Sequence, residues 1–253
     1  MTELAARALA NAAFGLMRAG QWTAAADLLT AARTDDPAER SVLALALAEV
    51  AVDHDFGRRT DHARAALDAI QDGSWDLELL KVRQAYAAAL FQSGDRAVRE
   101  RALALIEEAP DEGRRGTAHF WAGAIADNLD EQPAQAIEHY TAALELGEKS
   151  DDEPLMGQAL RHLGYHAHLS GDLALARRLW ERSTELLQKA GHVRPALAQQ
   201  ASLAALLRDE GDVAGSRALA TEVNRWARQL DVPFIVQETE DLMVPRTPQE
   251  RPR

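Results

Sequence analysis

His162 and His166 stand four residues apart on one predicted helix, the spacing that sets two imidazoles on one face where they could ligate a single metal ion. His168 follows but does not share that face, and no glutamate follows His162 to complete His-Glu-x-x-His, so metal-activated hydrolysis lacks its base. Solvated or groove-lining histidines are the expectation, and no metal or other cofactor is expected. A second polar cluster, Asp53-His54-Asp55 with Asp61-His62, reads as loop and helix-cap residues rather than a cation site. Glu107-Glu108 and Asp151-Asp152-Glu153 are adjacent carboxylates near predicted helix ends, where they serve as helix-start charges and solvated turns. Ser93 and Ser170 each precede a glycine in an exposed turn, without the nearby base and shielded pocket that a nucleophile needs. There is no cysteine, which removes disulfides, thiolate metal sites and thiol nucleophiles together. The chemistry-bearing residues therefore point to binding, not to an enzyme.

The elements that position them are spaced regularly. Glycines at 20, 57, 94, 171 and 211 are separated by 37, 37, 77 and 40 residues, and Glu131, in an Asp-Glu-Gln turn, stands where the missing glycine belongs. A fixed period of this size signals stacked repeats, each one supersecondary unit that cannot bury its apolar face alone. Around Gly20, Ala6 to Ala19 and then Ala25, Leu29 and Ala32 place apolar residues at three- and four-residue steps, and Asp35-Asp36-Pro37 ends the unit. Two amphipathic helices joined by a glycine turn make a helical hairpin.

These residues resemble the tetratricopeptide repeat (TPR) family. Leu9, Leu16, Gly20, Trp22, Ala25, Leu29, Ala32 and Pro37 fall on its register; so do Leu160, Leu163-Gly164, Gly171, Ala176 and Trp180, and again Leu203-Ala204, Leu207, Gly211, Ser216 and Ala220. Phe120, Ala124, Ala136, Tyr140 and Ala143 fit another hairpin, and Tyr86-Ala87, Leu90, Gly94, Ala102, Ile106 and Ala109 fit one more with a turn three residues longer. From Ser41 to Gln71 the periodicity is helical but the register ambiguous. Leu163 to Gly191 is similar to the long-period repeats in sensor regions of bacterial transcriptional regulators, although no phosphate-binding Gly-x-x-x-x-Gly-Lys-Ser/Thr loop or DNA-reading module accompanies it. The resemblance implies an all-α, right-handed superhelical solenoid of about six TPR-like hairpins in one repeat domain, 1–243. The repeats run roughly 6–39, 40–75, 78–112, 116–150, 155–192 and 195–230, before a capping helix at 232–243 and a disordered tail at 244–253. Asp231 is expected to cap that last helix, opened by Val232-Pro233.

Composition agrees with close-packed helices. Almost half the residues are hydrophobic, 47%, yet only 5% are aromatic, so alanine must fill most helix contacts. A net charge of −12 opposes direct nucleic-acid binding. The first residues, Met1-Thr2-Glu3-Leu4, lack a basic region and a long apolar core, and no uncharged run approaches bilayer length, so a cytoplasmic protein without membrane contact is expected.

In the resembled family, positions 2, 5, 9, 12 and 13 of each first helix face an inner groove. Here they are Arg7, Ala10, Phe14, Met17 and Arg18; Lys81, Gln84, Ala88, Phe91 and Gln92; Ala118, Trp121, Ile125, Asn128 and Leu129; Gln158, Arg161, Tyr165, His168 and Leu169; and Ala198, Ala201, Ala205, Arg208 and Asp209. Five are basic and only Asp209 is acidic. Arg7, Phe14, Arg18, Lys81, Phe91, Trp121, Asn128, Arg161, Tyr165, His168 and Arg208 are thus the expected partner-binding residues, suited to an acidic, partly apolar segment of a peptide or protein. Position 9 is never asparagine, which rejects the co-chaperone type that grips chaperone termini. Trp22 and Trp180 are expected to pack, not to stack on a ligand. The uncapped first helix, with Leu4, Leu9 and Leu16, offers a homodimer contact. The function this implies is a non-catalytic interaction scaffold, with a small-molecule or signalling-peptide sensor, its pocket closing around Trp121, Tyr165 and His168, as the alternative.

Overall fold

The computed structural model describes residues 3–70, 73–91 and 98–244, and among them every regular element is a helix. In chain order these are α1 (Glu3–Arg18), α2 (Trp22–Ala31), α3 (Pro37–Arg58), α4 (Ala63–Asp68), α5 (Trp75–Phe91), α6 (Val98–Glu107) and α7 (Glu112–Asn128). There follow α8 (Pro133–Ser150), α9 (Glu153–Leu169), α10 (Leu173–Lys189), α11 (Val193–Asp209), α12 (Val213–Gln229) and α13 (Pro233–Met243). Gln92, Ser93, Gly94 and the expected tail from 245 onward lie outside the described residues.

Local signals explain where the helices start and stop. Gly20, Gly171 and Gly211 have φ of +78°, +83° and +97°, the left-handed turn that a side chain resists. Glu131 takes the same conformation at φ 54°, so the period survives there with a residue less suited to it. After Gly171 and Gly211 come Asp172 and Asp212, whose carboxylates accept from the backbone N–H of Leu175 and Gly215; Asp152 does the same for Leu155 at the start of α9. Asp152→Ala will lower stability by about 1 kcal/mol in a denaturant titration, because that N–H loses its partner.

Three expectations are corrected. Gly57 is no turn: it lies inside α3, and Arg59, at φ 58°, makes the turn instead. A Cβ on Gly57 would come within 3.1 Å of the Trp22 ring, so this glycine permits a close approach. Asp53-His54-Asp55 is helical rather than a loop, because α3 runs on to Arg58. Asp231 has φ 54° and leaves the N-cap position of α13 to Val232, which makes no side-chain cap, although Pro233 opens the helix as expected.

The helices pack in two layers. The first helices of successive hairpins, α1, α3, α5, α7, α9 and α11, touch in series and end on α13; each second helix packs between its own partner and the next first helix. Small residues set the spacing. A Cβ on Gly164 would lie 2.4 Å from the Trp180 indole, so α9 and α10 can approach only because this position is bare. Trp22 and Trp180 are both buried, as their positions in the repeat imply, and the Trp180 indole N–H donates to the Arg161 carbonyl (2.8 Å).

The array also comes round on itself. One apolar cluster joins Ala13, Met17 and Trp22 to Ala198, Val223 and Ile235. Leu230 covers Gly20, Arg58 Nη1 lies 3.2 Å from Asp231 Oδ2, and α13 touches α3. Arg194 Nη2 meets Asp53 Oδ1 at 2.5 Å across 141 residues of sequence. The first two hairpins and the last hairpin with its capping helix therefore close a ring.

Candidate ligand-binding chamber

The ring encloses a chamber of about 420 Å³. Every residue on its wall belongs to a first helix, to a residue capping one, or to α13, so each hairpin contributes and the second helices stay outside. This follows from the two-layer packing, in which only the inner layer faces the axis.

One side of the wall is aromatic. Phe56 (α3) stacks on Tyr86 (α5) with centroids 6.2 Å apart and meets Phe91 and Trp121 edge-on at 5.6 and 6.4 Å. Guanidinium groups lie over three of these rings: Arg59 over Phe91, Arg83 over Trp121 and Arg194 over Phe56, at 5.0 to 5.4 Å. Asn128 donates from Nδ2 to the Tyr86 hydroxyl (3.0 Å) and the Ala124 carbonyl (2.9 Å), fixing the far end of α7 against α5.

The other side is polar, with Gln158, Arg161 and His162 from α9 and His192 before α11. His162 stacks on Tyr140 at 4.5 Å and lies 3.9 Å from Asp127, while His166 Nε2 lies 3.3 Å from the same carboxylate and the Tyr140 hydroxyl donates to it at 3.4 Å. The two histidines share a face, as their spacing predicted. Both pack against neighbouring side chains, and of the two alternatives, solvated or groove-lining, His162 takes the second, on the chamber wall; no cluster of three or more metal-ligating side chains occurs among the described residues. Burial, aided by Arg161 and His166, holds the His162 pKa well below the usual imidazole value. Burial and the Arg18 charge bring His192 to about 4. Both are neutral near pH 7.

The charges are unevenly satisfied. Asp53 accepts from Trp22 Nε1 (2.8 Å) as well as from Arg194, and Arg83 Nη1 lies 3.4 Å from Glu49. Burial would raise the Asp53 pKa, but Arg194, the Trp22 hydrogen bond and Arg83 outweigh it and hold the group below its usual value. Arg161 has no carboxylate within 4.0 Å among the described residues, and its buried Nε has no hydrogen-bond partner. Its nearest polar contact is His162 Nε2 at 3.3 Å.

Of the residues expected to bind a partner, Phe91, Trp121, Asn128 and Arg161 line the chamber. Lys81 pairs with Glu78 on its own helix, and His168 and Arg208 both meet Asp209. Tyr165 is exposed beside His166, Arg7 is exposed on α1, and Phe14 packs against the closing apolar cluster. Arg18 is off the wall, with its charge acting on His192. Ala118 and Ile125, read from the same register, are buried between helices. The wall residues not anticipated include Glu49, Asp53 and Phe56, all on the helix whose register the sequence leaves ambiguous, and Arg83 and Arg194. For the α3 residues the helical period carried a signal, since Asp53 and Phe56 are three apart and share a face; nothing local marked Arg83 or Arg194.

No protein-family model matches the chain, and no curated protein matches its sequence. Among solved structures, the crystal structure of Rap protein complexed with competence and sporulation factor superposes with a TM-score of 0.66, over 95% of this chain and 70% of that one, at 11% identity. At that identity the likeness defines the class of fold, a helical-repeat solenoid of the tetratricopeptide type, and no more. No helix among the described residues is long and apolar enough to cross a membrane.

Proposed function

We propose that this protein is a non-catalytic binding module whose ligand, a short acidic and partly apolar segment of a peptide or protein, occupies the chamber inside the ring. The observation that carries this reading is the wall itself: rings from α3, α5 and α7 face an unneutralised guanidinium on α9, within a protein of net charge −12. A volume near 420 Å³ falls in the range of sites that enclose compact ligands and equals roughly fourteen waters at ~30 Å³ each. The similar Rap protein was crystallised with a competence and sporulation factor, which supports a binding role for a fold of this class. The contact of α3 with α13 favours a second reading, a sensor for a small molecule or signalling peptide, because a ligand inside a closed ring can bias how firmly its ends meet.

Gln158→Trp tests both readings. Gln158 lines the chamber and makes no side-chain hydrogen bond among the described residues, so an indole there fills the space without breaking a contact. Wild type incubated with native cell extract will retain a peptide or small molecule detectable by mass spectrometry after denaturing elution. The Gln158→Trp protein, with unchanged helical circular dichroism and melting temperature, will not. Equal retention by both proteins would show that the ligand sits elsewhere.

A further inference from the structure

The chamber wall specifies more than a binding role. Its interior cations are matched one by one: Asp53 answers Arg194 and Glu49 answers Arg83, while Arg59, over Phe91, is exposed to solvent at the rim. Asp127 does not pair with Arg161: Tyr140, His162 and His166 surround its carboxylate. Glu238 on α13 feels the Arg161 charge, but its carboxylate is solvent-exposed and does not pair with Arg161 within 4.0 Å. One half-buried positive charge, with its Nε fully covered, is left over, and a charge drawn out of water without a counter-ion is costly unless something supplies one. Gln158, one turn before Arg161 on the same helix face, adds a free amide beside it. Trp121 and Phe91 line the same chamber; Arg83 lies over one ring and Arg59 over the other, and the ring surface left on the wall suits an apolar group.

Resting on the chamber reading above, we infer that the site selects an aryl carboxylate: one carboxylate held by Arg161 and Gln158, with a planar apolar ring against Trp121 and Phe91. A carboxylate is preferred to a larger or doubly charged anion because a single guanidinium is unmatched, and a guanidinium fork accepts a carboxylate through two parallel hydrogen bonds. That chemistry occurs in two sources, a free arylalkanoic acid and the C-terminus of a peptide ending in an aromatic residue.

The test is calorimetric titration of the full chain with two matched pairs: 3-phenylpropionate against 3-phenylpropan-1-ol, and N-acetyl-Ala-Phe against its C-terminal amide. At least one acid will bind with 1:1 stoichiometry and at least tenfold more tightly than its neutral partner. Arg161→Gln will abolish that tenfold preference, Arg161→Lys will restore part of it, and Arg182→Gln, on an outer helix, will leave it unchanged. Tighter binding of the free acid identifies a small-molecule source; tighter binding of the peptide acid identifies a chain terminus. Melting curves of each variant separate lost affinity from lost fold. The inference is overturned if the neutral compounds bind as well as the acids, if Arg161→Gln changes nothing in a folded protein, or if neither acid reaches a Kd of ~1 mM. The broader chamber reading stands or falls separately, on whether Gln158→Trp loses the extract ligand.

Discussion

Arg194→Ala will destabilise the protein by about 3 kcal/mol, because it removes the partner of a buried carboxylate and leaves Asp53 with only the Trp22 hydrogen bond and the more distant Arg83. The side chains of both partners are mostly buried, 17% and 14% exposed, so solvent screens the pair weakly. The loss extends beyond charge: Arg194 also covers the Phe56 ring, and its stem approaches Gly57. Denaturant titration of Asp53→Ala, Arg194→Ala and the double variant will show that the double loss is smaller than the sum, since the second substitution no longer strands a charge. Additive losses would mean that the two groups act independently.

Acid should imitate that substitution. The Asp53 carboxyl is held below its usual value in the folded ring, so its contribution is fully present above about pH 4, the unfolded value, and disappears as pH falls through the lower folded value. Asp55 adds to the same trend: burial works to raise it, but contacts from His54, Thr60 and the Ala63 N–H bring it to about 2. Hydrogen exchange at the start of α11 will accelerate below pH 4 before exchange in α9 and α10 does, if the closing contact gives way first.

Gly164→Ala will cost about 2–3 kcal/mol, although an alanine in a helix interior ordinarily gains about 1 kcal/mol over glycine. The added methyl would lie 2.4 Å from a buried indole held in place by its hydrogen bond to the Arg161 carbonyl, so the whole of α10 must shift or the ring must leave its rotamer. Gly15→Ala is the contrasting case. Gly15 is also inside a helix, but nothing lies within 4 Å of the added carbon, and that variant will gain stability. Thermal melts of the two will move in opposite directions. If both rise, the contact between α9 and α10 is looser than described.

Much of the fold was legible because the repeat is local. Gly20, Gly171 and Gly211 marked turns that need a left-handed residue, and the Leu163-Gly164 and Trp180 matches marked the notch and its plug. Glu131 was placed by the period alone and does adopt the glycine-like conformation. Gly57 misled because a glycine can serve a turn or a close approach, and only the partner, Trp22 on another helix, distinguishes the two. The site was less legible for a different reason. Trp121 and Arg161 could be placed by register, but the far wall is supplied by Asp53, Phe56 and Arg194, brought together by a contact spanning 141 residues that leaves no trace in a local pattern. Ala118 and Ile125 show the limit of a transferred register: both hold groove positions in the resembled pattern, yet both are buried between helices.

In an open helical array each unit touches only its neighbours, so evolution can add or delete a hairpin at modest cost. Here α13 rests on α3, and Leu230 rests on Gly20, so the number of units is set by closure, as the number of blades is in a propeller. Deleting one hairpin would leave an arc too short to bring its ends together, and inserting one would carry them past each other. Closure therefore resists any change in the number of repeats between α1 and α13, and leaves the side chains that face the axis and the outer turns freer to change.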